Sequence, residues 1–203
     1  MSKLPEAQVM TFFLGLTGGI ATGKSTASRI LKEMGCQVID SDLIAHQQAE
    51  VGQISWQRIL EEFGPDFFNE DKSLNRKKLG QYVFANPKAL AKLSEITQGE
   101  VLKEVQKQMK DSQASVCVID VPLLFEAGWQ DYFDAVLLIA APEEVELDRL
   151  MKRDSLSEAE AKRRMQAQLP LGEKRLLASY VLENTGTIEE LRDKLSNLLK
   201  TIA

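Results

Sequence analysis

The sequence predicts an α/β fold in three layers, a five-stranded parallel sheet with helices on both faces. Three features point to it. Five short runs at residues 10–15, 37–39, 115–121, 135–140 and 180–182 are rich in Val, Ile, Leu and Phe without strict polar alternation. That is the pattern of parallel strands covered on both sides. Helical periodicity fills most of the intervals, as right-handed crossovers require. Directly behind the first run comes a cluster of glycines, LGLTGGIATGKST at 14–26, which inside a regular element would be costly.

The elements follow in order. The first run leads into a helix predicted over 25–34, with Ala27, Ile30, Leu31 and Met34 on one face and Gly35 to stop it. The second run ends in VIDSD at 38–42. About 75 residues then precede the third run, where a crossover needs only a dozen or more. Helices predicted there at 54–63, 76–84, 87–96 and 101–109 make this interval a helical insertion. The third run carries Asp120, in VCVID. Pro142 follows the fourth, a residue favoured at a helix start, and a helix is predicted over 143–153. A last helix over 188–202 repeats Ile188, Leu191, Leu195, Leu198, Leu199 and Ile202 on one stripe and closes the fold.

Bulk composition narrows the function. The chain has 203 residues, 44% of them hydrophobic and 27% charged, which suits one soluble domain carrying an insertion. No apolar run approaches the ~20 residues that cross a bilayer. The opening MSKLPEAQVM lacks the continuous apolar stretch of a secretory signal, so a cytoplasmic location and no membrane partner are expected. A net charge of −5 argues against a nucleic-acid coat. The single histidine, His46, gives a histidine-based triad or zinc site little to work with and reads as a partly solvated helix residue. Cys36 and Cys117 read as small buried hydrophobes. The sequence leaves a monomer or a weak homo-oligomer open.

The glycine cluster has a chemical meaning. Residues 18–25, Gly18-Gly19-Ile20-Ala21-Thr22-Gly23-Lys24-Ser25, satisfy the phosphate-binding pattern G-x-x-x-x-G-K-[ST] between a strand and a helix. The glycines let main-chain N–H groups converge on phosphate oxygens, and the helix adds its positive end. Lys24 is expected on the β and γ phosphates and Ser25 on a magnesium ion. The expected ligand is a nucleoside triphosphate, ATP, with Mg2+.

Among proteins with such a loop, a GTPase switch is excluded: none of the twelve glycines follows an Asp by three residues, and no Asn precedes a Lys. A transporter-type LSGGQ segment is absent too. A small kinase remains, with a nucleotide-binding switch that transfers nothing as the reading from another class. Asp42, in VIDSD at the end of the second strand, is the expected acid–base carboxylate for an acceptor hydroxyl. Asp120 has the form of a magnesium-holding Asp or a turn-forming one. Residues 149–175 hold eight basic side chains against four acidic ones and read as a cationic helical lid. Half of them are expected in pairs on a solvated helix face; Arg149 and Arg153 are expected on phosphate.

With these segments assembled, the chain resembles the dephospho-coenzyme A kinase family along nearly its whole length. The resemblance rests on GLTGGIATGKST at 15–26, VIDSDLIA at 38–45, LNRKKLGQYVFANP at 74–87, VIDVPLLFE at 118–126, RLMKRD at 149–154 with SEAEAKRRMQAQ at 157–168, and VLENTG at 181–186. It implies transfer of phosphate from MgATP to the ribose 3′-hydroxyl of dephospho-coenzyme A. The implied layout is a core of about 8–42, 113–148 and 176–203, an acceptor-binding insertion of about 43–112 and a lid of about 149–175. Asp42 is implied as the acid–base residue and Ala21–Thr26 as the phosphate loop. Arg76, Phe84, Pro122, Leu123 and Leu124 are implied around the acceptor, and Asn184 to Gly186 near adenine. Three positions depart from the family pattern: Gln98-Gly99 replaces His-Pro, Ser179 replaces Asp, and His46 replaces Arg. On residues alone, a kinase for a nucleoside, nucleotide or other small alcohol stays open.

Overall fold

The computed structural model describes residues 10–202, apart from the side chain of Phe84. Residues 1–9, where the sequence argues against a secretory signal, lie outside the described residues. Two compact units make up the chain: one joins the part up to Ile39 with the part from Asp111 onward, and the other is Asp40–Lys110.

The first unit is built on β1 (Phe12–Gly18), β2 (Gln37–Asp40), β3 (Val116–Asp120), β4 (Ala135–Ala140) and β5 (Tyr180–Glu183). They form one sheet in the order β2-β3-β1-β4-β5, so β1 is central. It pairs in parallel with β3, Leu14 opposite Val118, and with β4, Leu16 opposite Leu137. Around the sheet run α1 (Lys24–Glu33), α6 (Glu143–Asp154), α7 (Glu158–Gln166), α8 (Leu171–Leu177) and α9 (Ile188–Ile202). Leu14, Leu16, Val116, Val118, Leu137 and Ile139 point to one face. They join Ala27, Ile30 and Leu31 of α1 and Leu191, Leu195 and Leu198 of α9 in one buried cluster. Each such side chain contributes on the order of 1.5–3 kcal/mol through burial. On the other face Leu124 and Phe133 close tightly over Gly15.

β1 differs from the sequence reading of 10–15. It starts at Phe12, whose N–H bonds to Ser115 O at 2.8 Å, and runs on to Gly18, opposite Ile139. Two glycines expected to lie at its end or beyond are strand residues because β3 and β4 hold both edges.

The second unit contains α2 (Ser41–Gln48), α3 (Ile54–Phe63), α4 (Arg76–Ala85) and α5 (Pro87–Lys110). Its core gathers Ile59, Leu79, Val83 and Ile96, flanked by Phe63, Phe67, Phe68 and Leu74. The helices expected at 87–96 and 101–109 are one continuous α5. Ile96, Glu100, Val101, Val105 and Met109 keep a buried stripe through Gly99, so packing overrides the ~1 kcal/mol that a mid-helix glycine costs. Glu100 takes Arg58 at 2.6 Å and Lys103 at 2.9 Å, and these partners hold its carboxyl below the ordinary value. No helix among the described residues is long and apolar enough to cross a membrane.

Candidate functional site

After β1 the chain turns through residues 19–23 and enters α1 at Lys24. Ala21 and Gly23 both take left-handed conformations, with φ of 60° and 94°, which curls successive N–H groups to one side. Thr22 Oγ1 donates to Gly19 O at 2.9 Å, fixing the curl from inside. No side chain caps the start of α1, so its first-turn amides present positive charge to an anion. Asn184, just past β5, donates from Nδ2 to Thr22 O at 2.7 Å. Its amide lies so close to Gly23 that a methyl group there would overlap it. A cavity of about 270 Å³ is lined by Ala21, Gly23, Thr26, Arg149, Asn184 and Gly186. Loop, lid arginine and the ENTG segment, each singled out in the sequence, are thus brought to one place.

Lys24 forms an ion pair with Asp120, the last residue of β3. Asp120 is 6% exposed, and the pair joins the end of β3 to the start of α1. Ser25 is exposed. Among the described residues no group of three or more His, Cys, Asp or Glu could hold a metal. Ser25 and Asp120 carry hard oxygen donors of the kind a magnesium ion takes.

The other predicted residues are placed as follows. Arg153 forks onto Asp154, Nε to Oδ1 at 2.8 Å and Nη2 to Oδ2 at 3.1 Å. Arg164 of α7 shares that carboxylate at 2.8 Å. Arg153 is thus tied to its neighbour in α6, whose carboxylate Arg164 clasps from α7, unlike Arg149, one turn earlier on the cavity. Pro122 O accepts from Thr17 Oγ1 at 3.0 Å. Leu123 is exposed, but Leu124, expected beside it around the acceptor, is fully buried against Gly15; its side chain serves the core. In the second unit Asp40 caps α2, accepting from Asp42 N at 2.9 Å and Leu43 N at 3.0 Å. Asp42 lies exposed in that first turn. Arg76 is exposed at the start of α4, and the Phe84 side chain lies outside the described residues. Of the departing positions, His46 is exposed in α2, and Ser179 Oγ accepts Val136 N–H at 3.0 Å.

One charged group escaped the sequence reading. Glu146 of α6 is 5% exposed, and its Oε1 has no hydrogen-bond partner among the described residues. It lines a cavity of about 400 Å³ with Gly19, Ile20, Glu143 and the 165–172 stretch. Burial pushes its carboxyl up to about 7, against the pull of Lys174. Lys174 of α8 is 1% exposed and lies 2.8 Å from Glu126 Oε1. Glu146 precedes the buried Leu150 by four residues, so the helical period was the available signal.

Comparison with known proteins gives this arrangement a family. A sequence model of dephospho-CoA kinase matches residues 12–190. A dephospho-CoA kinase of Lactobacillus johnsonii is 47% identical over 196 residues, 95% of this chain and 99% of that protein. Among solved structures, TT1252 from Thermus thermophilus superimposes with a TM-score of 0.82 at 34% identity, covering 95% of this chain and 98% of that one. Dephospho-CoA kinase from Campylobacter jejuni does so with 0.73 at 30% identity, over 95% and 98%. With a matching family model across most of its length and close relatives covered nearly end to end, the chain belongs to the dephospho-CoA kinase family.

Proposed function

We propose that the chain transfers the terminal phosphoryl group of ATP to the ribose 3′-hydroxyl of dephospho-coenzyme A, giving coenzyme A and ADP, the last step of coenzyme A synthesis. The observation that carries this reading is Ala21, Gly23 and Thr26 of the loop sharing a cavity with Arg149, Asn184 and Gly186 in a chain of this family.

The residues divide the work. Main-chain amides of the loop and the start of α1 bind the phosphates. Lys24 leaves Asp120 for the β and γ phosphates and follows the charge that builds during transfer. Arg149 adds a second cation from the lid, with Asn184 and Gly186 at the nucleoside; Arg153 reaches phosphate only by releasing Asp154. Ser25 and Asp120 hold magnesium, which supplies charge neutralisation at the phosphate oxygens when bound. Asp42 orients the acceptor hydroxyl and takes its proton as the oxygen attacks phosphorus. Arg76, Phe84, Pro122 and Leu123 contact the acceptor. The enzyme acts on small molecules in the cytoplasm, without nucleic acid or membrane, as a monomer or weak homo-oligomer; the net charge of −5 supports the absence of a nucleic-acid partner.

The test is ADP release by the purified protein with MgATP and a panel of acceptors. Dephospho-coenzyme A should give turnover far above that with nucleosides, nucleotides or water. Turnover no higher than with water refutes the reading, and a preference for a nucleoside reassigns the substrate.

A further inference from the structure

We propose that Glu146 is a proton-linked positioning residue of the phosphate loop, its carboxylate taking up a proton as the triphosphate enters. The inference rests on the reading of residues 18–26 as the ATP loop and concerns how that loop is regulated.

The geometry begins at Gly19. A methyl group there would overlap Glu146 Oε1 and come within 3.1 Å of its Cδ and of Thr22 Cγ2. The carboxyl therefore packs against the loop at Gly19. The same Gly19 supplies the carbonyl that Thr22 Oγ1 grips. Glu146 backs this contact while almost wholly shielded from water.

Its charged surroundings leave an anion there poorly compensated. On its own helix Glu143, one turn earlier, repels it. From α8, Lys174 and Arg175 attract it, but Lys174 Nζ, without a hydrogen-bond partner among the described residues, lies 2.8 Å from the competing carboxylate of Glu126, and Arg175 is bound to Glu183. Glu126 is itself held by Leu169 N–H at 2.9 Å. The loop offers only Gly19 and Ile20, and the facing stretch offers Met165, Gln166 and Gln168, none of them charged. Burial outweighs the cations, and the carboxyl titrates near neutrality. A triphosphate on the loop adds negative charge beside Gly19, against which Glu146 packs, and so drives the carboxyl further towards its neutral form. The proton comes from buffer and ends on a Glu146 oxygen; no other bond changes. By linkage, ATP then binds more tightly below neutral pH than above it.

The experiment is calorimetric titration of the full chain with MgATP, without acceptor, between about pH 6 and pH 8.5, in two buffers of different ionisation enthalpy. Wild type is compared with Glu146→Gln, a fixed neutral isostere. Titration of the nucleotide's own phosphate is common to both and cancels. If bound phosphate lifts the carboxyl by about one pH unit, wild-type affinity falls about tenfold more than that of the variant across this range. Wild type also takes up a fraction of a proton that the variant does not. Lys174→Met, which removes an attracting cation, should move the midpoint to higher pH. Identical proton counts and pH slopes in wild type and Glu146→Gln overturn the proposal, because a purely structural Glu146 shifts affinity equally at every pH. If Glu146→Gln does not fold, wild type alone decides: no proton uptake beyond that of the nucleotide overturns it. Failure of wild type to bind MgATP even at about pH 6 instead overturns the loop assignment, and this proposal with it.

Discussion

Replacing Glu146 with Gln should stabilise the fold above neutral pH and weaken it by about 1–2 kcal/mol in acid. The folded carboxyl is lifted from 4.5 to about 7 by burial. Between those values the folded chain holds a proton that the unfolded chain has lost, so wild-type stability falls as pH rises through this window and levels off above it. At about 1.4 kcal/mol per pH unit the loss is on the order of 3 kcal/mol. Gln cannot ionise and escapes it, although its amide, buried without partners, costs about 1–2 kcal/mol at every pH. The clean quantity is therefore the change in the Gln-minus-Glu difference between about pH 4.5 and pH 8.5, expected near 3 kcal/mol, or about 6–12 °C in melting temperature for a chain of this size. Urea denaturation followed by circular dichroism at both pH values measures it. Other carboxylates titrate alike in both proteins and drop out. A difference that stays constant within about 0.5 kcal/mol would mean that Glu146 is ionised in the fold across the whole range, and the account of its burial would be wrong.

Asp42→Asn should lower kcat by about 10²–10⁴-fold and leave the KM for ATP within about threefold; steady-state kinetics with dephospho-coenzyme A decide, and an unaltered kcat removes Asp42 from its role. Asn184→Ala loses the 2.7 Å bond that steadies Thr22, worth about 1 kcal/mol. The same kinetics should show the KM for ATP rising about fivefold with kcat within about twofold, and a larger fall in kcat than rise in KM would contradict a binding role.

What could be read from the sequence was what neighbouring residues encode together. The phosphate loop is such a case: strand, glycines, Lys24 and Ser25 are contiguous, and the backbone requirement is written in residue types. The alternation of apolar runs and helical stretches gave the sheet for the same reason. Partnerships across long separations were not legible. Nothing near Lys24 announces Asp120, 96 residues on. Arg149 and Arg153 look equivalent as letters, yet one lines the cavity beside the loop and the other is claimed by Asp154. Leu123 and Leu124 likewise differ only in which side of the chain the fold turns inward. Gly99 misled because local propensity argued for a break that the buried stripe of α5 overrides. Glu146 was missed because a glutamate in a charged helix is ordinarily solvated.

The pairing of Lys24 with Asp120 makes the loop self-neutralising. An incoming anion must displace an internal rival before it meets the ammonium group, and the abandoned carboxylate, almost shut off from solvent, then stands uncompensated at a cost of about 3–5 kcal/mol. A ligand that carries its own counter-cation repairs that loss on arrival; bare inorganic anions do not. On the proposed reading the resting contact would favour metal-complexed polyphosphates over free phosphate and sulfate.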